Sequence, residues 1–262
     1  MKRGIPKKYS KVRASLLCVA LVVLSLLVYL VLFRTKAQAP ETSRTTQSTP
    51  SKKNSQSTTS NTTKAFDKSA FSIDTPGSIW WIVNKKRPLP TGYVPRDLAV
   101  PSVSLRLAAS SEQMQLSKQV IPSLEALFQA AKDAGVPLTL ASGYRSEAYQ
   151  RSLYNGYVAR DGQAAADRYS AKPGTSEHQT GLAFDVCVQG SSCDLTKAFG
   201  ETPTGQWVAE HAHEYGFIVH YQNGKEASTG YDYEPWHLRY VGNELAGELY
   251  KTGQTLEEFF GL

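Results

Sequence analysis

Cysteine is scarce in this sequence: three residues in 262, alongside only two methionines. That excludes a small scaffold held together by many disulfides. Glycine, at 19 residues and without a regular repeat, excludes a collagen-like chain, and no other internal repeat is visible. Hydrophobic residues at 41% against charged residues at 20% exclude a wholly disordered one. Acidic residues are missing from the first 13 positions, which carry six Lys/Arg, and only Glu41 accompanies six Lys/Arg in 34–64. Residues 65–262 hold 17 basic and 22 acidic side chains, a net −5. The overall +6 is therefore a property of the N-terminal part, and an acidic body argues against nucleic-acid binding.

One long uncharged apolar run is present, residues 14–33. About 20 such residues span a bilayer as a helix. Six basic residues precede it, so the positive-inside rule puts 1–13 in the cytoplasm and the body outside. The alternative is a cleaved signal peptide. Ala37-Gln38-Ala39 offers a cleavage triplet, but Pro40 follows directly and the run exceeds the usual apolar region of such peptides. The expectation is a single-pass cell-membrane protein with an uncleaved anchor, inside which Cys18 is an apolar side chain. Residues 35–65 hold 15 Ser/Thr, and their only hydrophobic residues are three Ala. They cannot bury a core, and 34–70 reads as a disordered tether.

The remainder, 71–262, reads as one α+β domain. Apolar spacing predicts a helix over 111–134, kinked or restarted at Pro122 and stopped at Gly135. Strands are expected at 138–141, 182–188, 217–221 and 236–241, and helices at 146–160 and 207–215. In 182–188, Phe184, Val186 and Val188 share one face, while Ala183, Asp185 and Cys187 share the other. Cys187 and Cys193, six apart in an exported body, read as a local disulfide. Closing so short a loop contributes about 2 kcal/mol in the entropic account.

Chemistry concentrates in three stretches. Ser176-Glu177-His178 leads through Gly181 to Asp185, Glu234-Pro235-Trp236-His237 follows later, and Ser142-Gly143-Tyr144-Arg145-Ser146 lies at a strand–helix junction. Catalytic zinc takes three protein ligands and keeps one open position, and His178, Asp185 and His237 could supply the three. Asp185 lies mid-strand between apolar residues, where a bare carboxylate is costly without a metal or a partner. Pro235 keeps Glu234 and His237 off one continuous helix and leaves Glu234 just before a strand. Taken singly, each His also reads as an ordinary structural side chain. His211 and His213 fit that reading, and His220 is structural or at the rim of a site. Arg145 could hold a carboxylate or oxyanion with its planar fork, or simply cap a turn.

Together these stretches resemble the VanY-like D-alanyl-D-alanine carboxypeptidases, zinc peptidases related to VanX and the L,D-carboxypeptidase LdcB. The resemblance covers roughly 78–250. It includes Trp81-Ile82-Val83-Asn84-Lys85, Arg87-Pro88-Leu89-Pro90, the Ser-Gly-Tyr-Arg-Ser stretch, 172–185 and Gly230-Tyr231 with the Glu-x-x-His that follows. The resemblance implies a single zinc-peptidase domain with a small antiparallel sheet flanked by helices. It implies one zinc ion on His178, Asp185 and His237, Glu234 as general base and then acid, and Arg145 on the scissile carbonyl or terminal carboxylate. Gln150 and Ser176 would line the substrate site. The family usually has Arg where this chain has His220. The implied activity is removal of the terminal D-alanine from peptidoglycan stem peptides, as a D-Ala-D-Ala carboxypeptidase or, alternatively, as an L,D-carboxypeptidase on tetrapeptides. A non-catalytic wall-binding module and a phage-type endopeptidase are the other readings.

Overall fold

The computed structural model describes residues 66–262. The expected cytoplasmic tail, membrane segment and nearly all of the tether lie outside the described residues. Among the described residues, no helix is long and apolar enough to cross a membrane.

Alternation of side chains builds the central sheet. Its strands are β3 (Leu138–Ser142), β4 (Ala183–Val188), β5 (Phe217–Val219) and β6 (His237–Tyr240). They are ordered β3-β4-β6-β5, every neighbouring pair antiparallel. Leu138, Leu140, Phe184, Val186, Phe217 and Leu238 lie on one face, in the main core. There they meet α1 (Ile121–Asp133) through Leu124, Leu127, Phe128 and Ala131, and α4 (Pro203–His211) through Val208. Each fully buried large apolar side chain is worth roughly 1.5–3 kcal/mol. The register sets Phe184 opposite Leu238 and Asp185 opposite His237. Asp185, His237 and Arg239 therefore share the face turned away from this core.

The expected helix over 111–134 forms only in its second half. Residues Glu112–Met114 make a 3₁₀ turn, and β2 (Leu116–Ser117) pairs with β1 (Leu98–Ala99). The α-helix begins at Ile121 with Pro122 in its first turn, so Pro122 starts a helix and does not kink one. Proline lacks an N–H and is tolerated there because that donor has no intrahelical acceptor. The apolar period of 111–120 came from Met114 and Val120, which are buried without being helical. Helix α2 (Glu147–Asp161) is capped by Ser146, whose hydroxyl accepts from the Tyr149 N–H, and α3 (Gln163–Tyr169) follows at once. The expected helix over 207–215 is α4 followed by a 3₁₀ turn, Ala212–Tyr215.

A second apolar cluster forms where no helix was expected. After the short α5 (Glu226–Thr229), α6 (Asn243–Thr252) and α7 (Leu256–Phe260) pack Leu245, Leu249, Leu256 and Phe259 against Trp80, Ile82 and Ile218. Thr255 and Glu258 cap α7 reciprocally. Phe66 joins this cluster, its ring 5.6 Å from Trp80 and 5.3 Å from Phe259. Ordered structure therefore extends to at least residue 66, inside the stretch read as tether, because an aromatic side chain finds a buried surface. Cys187 and Cys193 form the disulfide.

Gly181 terminates the 3₁₀ turn Glu177–Thr180 with φ +71°, and a Cβ there would lie 3.0 Å from the Ser117 nitrogen. Gly181→Ala is expected to destabilise the protein by more than about 1 kcal/mol, read as a lowered denaturant midpoint.

Candidate metal centre and catalytic cleft

Antiparallel pairing brings two of the candidate ligands side by side, and a turn delivers the third. His178 lies in the 3₁₀ turn before β4. Its Nδ1 is 2.7 Å from the Gly143 carbonyl oxygen, so Nδ1 carries the proton and Nε2 the lone pair. Gly143 is required there, since a Cβ would lie 2.4 Å from the Gln115 carbonyl oxygen. His178 Nε2 is buried and has no hydrogen-bond partner; it lies 3.4 Å from Asp185 Oδ1. On the other side of Asp185, His237 Nδ1 is 3.1 Å from Oδ1. The donor atoms of His178, Asp185 and His237 lie within 4.8 Å of one another. An orphaned imidazole lone pair facing a carboxylate and a second imidazole is a donor set suited to zinc.

A second cluster of suitable type comprises Glu177, His220 and His237. It is already filled by protein cations. Arg239 Nη1 donates to Glu177 Oε1 at 2.5 Å, and His220 Nδ1 lies 2.8 Å from Glu177 Oε2. No lone pair is left over in the manner of His178 Nε2. The two clusters thus differ in kind: around Asp185 an imidazole lone pair is left without a partner, and around Glu177 both carboxylate oxygens are matched by donors.

Arg145 follows β3 and points across the first cluster. Its Nη2 donates to Asp185 Oδ2 at 3.1 Å and its Nη1 to Gln150 Oε1 at 3.3 Å. Gln150 Nε2 in turn donates to the Ala171 carbonyl at 2.7 Å. Gln150 is thus engaged at both ends of its amide, bracing Arg145 against the segment after α3. Ser176 is buried at the wall of the same cavity. Glu234 also lines this cavity of about 220 Å³, one turn before His237, with its carbonyl accepting from the His237 N–H at 3.1 Å. The ring of Tyr221 stacks on His237 at 4.6 Å.

Burial governs the protonation states. It pushes the Glu234 carboxyl up to about 8, with Asp185 adding to the rise and His237 and Arg145 opposing it. Burial and the Arg145 charge lower His178 to about 4, keeping the imidazole neutral. Burial alone would lower His237, but hydrogen bonds to Asp185 and Glu177 raise it to about 9. Burial alone would raise Asp185, yet the neighbouring His178, His237 and Arg145 hold it well below the usual carboxylate range.

Sequence reasoning missed Glu177, Arg239 and Glu257, and left His220 undecided. Arg239 had a visible signal, since it stands two residues after His237 on one strand and so shares its face. Glu177 stands beside His178 in its motif with no signal of its own, and nothing local marks Glu257. His211 and His213 stand away from the cleft, His211 beside Glu214 and His213 stacked on Tyr250.

The family model for VanY, D-alanyl-D-alanine carboxypeptidase, matches residues 113–243, a span that includes Arg145, His178, Asp185, Glu234 and His237. The protein YodJ of Bacillus subtilis (strain 168) is 41% identical over 188 residues, covering 72% of this chain and 69% of YodJ. Among solved structures, the LdcB LD-carboxypeptidase superposes with a TM-score of 0.68 at 40% identity, covering 72% of this chain and 88% of that one. A mutant of the vancomycin-resistance D,D-pentapeptidase VanY, in complex with Zn(II), superposes with a TM-score of 0.58 at 34% identity, over 68% and 97%. On sequence and fold alike, this chain belongs to the VanY family of D-alanyl-D-alanine carboxypeptidases.

Proposed function

We propose that this protein is a zinc-dependent carboxypeptidase that removes the C-terminal D-alanine from peptidoglycan stem peptides, as a D-Ala-D-Ala carboxypeptidase. The observation that carries the reading is the partnerless, buried Nε2 of His178, facing Asp185 and His237 in a cleft that Glu234 and Arg145 also line. Zinc bound by His178, Asp185 and His237 would supply a Lewis acid and a lowered pKa for water at neutral pH. Glu234, whose carboxyl ionises more readily with a cation bound nearby, then acts as general base, taking a proton from the attacking water on its carboxylate and delivering it to the departing amine. The guanidinium of Arg145, held by Asp185 and Gln150, offsets negative charge at the carbonyl oxygen or the substrate's terminal carboxylate. Ser176 contributes to the cavity wall, and Gln150 serves substrate binding through Arg145.

Tetrapeptide stems, cut at an L,D bond, are the second reading. Higher identity to two solved L,D-carboxypeptidases, 40% and 43%, than to the D,D-pentapeptidase, 34%, favours it. The proposal extends to location: the apolar run 14–33 anchors the chain, the Ser/Thr-rich stretch tethers it, and the domain faces the wall outside the membrane.

Mass analysis after incubation with muramyl pentapeptide and tetrapeptide, with and without a chelator, tests the activity. Loss of one alanine from the pentapeptide alone supports the D,D reading, and loss from the tetrapeptide alone the L,D reading. Absence of chelator-sensitive loss from both refutes a metal-dependent carboxypeptidase. Glu234→Gln is expected to retain zinc while turnover falls by at least about 100-fold, whereas His178→Ala weakens zinc binding by more than about 100-fold. Because His237 holds a proton up to about pH 9 in the metal-free protein, zinc must displace it. Apparent zinc affinity should therefore rise with pH between about 6 and 8, by about tenfold per unit for one proton released. A flat profile in competition titrations would remove His237 from the ligand set.

A further inference from the structure

Behind His237 lies a buried group of charges that the proposed chemistry does not use. Glu177 has a fully buried side chain, and both of its oxygens are occupied. Oε1 accepts from Arg239 Nη1 at 2.5 Å. Oε2 lies 2.8 Å from His220 Nδ1 and 3.0 Å from His237 Nε2. The other nitrogen of His220 lies 3.1 Å from Glu257 Oε2, on α7. Arg239 is held by the carbonyl oxygens of Trp81, at 2.8 Å, and Ile79, at 3.1 Å. Asn84 Nδ2 donates to the remaining oxygen of Glu257 at 3.1 Å.

With both glutamates ionised, the donor and acceptor count leaves one arrangement of protons. His220 stands between two carboxylates and donates from both nitrogens, which makes it an imidazolium. Two carboxylates, one imidazolium and one guanidinium then form a charge-balanced buried quartet. In it Glu177 is ionised and can only accept, so His237 must donate to it from Nε2. The Nδ1 of His237 is thereby turned toward Asp185 and is the atom that a metal takes once its proton is displaced.

We propose that Glu177 is a positioning residue for the metal centre: by accepting the Nε2–H of His237 it fixes that ring's tautomer and orientation, with Arg239, His220 and Glu257 holding Glu177 in place. This rests on the zinc-carboxypeptidase reading above. A carboxylate behind a ligating imidazole raises its basicity and fixes its tautomer, and losing one typically costs about 10–100-fold in metal affinity. The same geometry gives the C-terminal helix α7 a part in the site, since Glu257 is its contribution to the quartet. Glutamine at 177 would keep the size of the side chain but could present its NH₂ to His237, favouring the opposite tautomer.

The test uses the full-length protein with ¹⁵N-labelled histidine, zinc-loaded and metal-free, and reads which nitrogens of His237 carry protons from long-range ¹H–¹⁵N spectra. The parent protein is expected to show a protonated Nε2 in both states and metal bound at Nδ1 in the loaded one. Zinc affinity is measured in parallel by chelator competition. Glu177→Gln is expected to weaken it about 10–100-fold, and Glu257→Gln, which leaves His237 untouched, by a smaller factor. A parent His237 that binds zinc through Nε2, or a folded Glu177→Gln variant with the parent's zinc affinity, overturns the proposal. So does a parent that takes up no zinc. If Glu177→Gln does not fold, the parent spectrum and the Glu257→Gln affinity decide. A parent with the expected tautomer and zinc affinity that releases no alanine refutes the enzymatic reading and leaves the positioning role standing.

Discussion

The pairing of β4 with β6 is the constraint on which the rest of the molecule depends. Asp185 stands opposite His237 and Phe184 opposite Leu238. Side chains alternate along both strands, so one register simultaneously buries Phe184, Val186 and Leu238 and leaves Asp185 and His237 adjacent on the other face. A slip of one residue would turn the carboxylate into the core and the apolar side chains into the cleft. The hydrophobic core thereby enforces the geometry of the polar site. No part of the site has to hold this register for itself.

The polar face shows how a small domain keeps many ionisable groups under cover. Glu177, His220, Arg239, Glu257, Asp185, His178 and His237 are all buried. Buried charges are costly unless paired and hydrogen-bonded. Around Glu177 the pairing is complete within the protein, with two carboxylates and two cations. Around Asp185 it is incomplete: Arg145 covers one oxygen, and the lone pair of His178 Nε2 has no donor. That contrast separates a structural charge cluster from a centre suited to a metal ion, although the residue types in the two clusters are nearly the same.

The walls of the cleft come from segments far apart in the chain. Gln150 on α2 joins Arg145 to the Ala171 carbonyl beyond α3, so the helical pair α2–α3 sets how Arg145 approaches Asp185. Leu195, just after the Cys187–Cys193 loop, lines the same cavity. The candidate metal ligands thus come from the two central strands and the turn before one of them, while helices and a disulfide-closed loop supply parts of the cavity wall.

Much of this was legible in the chain by itself. The α+β class, the strand through Asp185 with its two faces, the break at Pro235 and the grouping of His178, Asp185, Glu234 and His237 by motif all follow from short-range pattern and resemblance. These features depend on period, turn residues and residue type, which are local. The helix expected over 111–120 does not form: Met114 and Val120 are buried by tertiary contact while the backbone there makes a turn and a strand. The helices α6 and α7, the commitment of Gln150 to Arg145, and the quartet of Glu177, His220, Arg239 and Glu257 were decided only by the tertiary structure. Glu257 meets His220 across 37 residues and His220 meets Glu177 across 43. Sequence determined which side chains carry charge and which face each takes; only the folded chain decided which charge neutralises which, because pairing depends on distance in space and not along the chain.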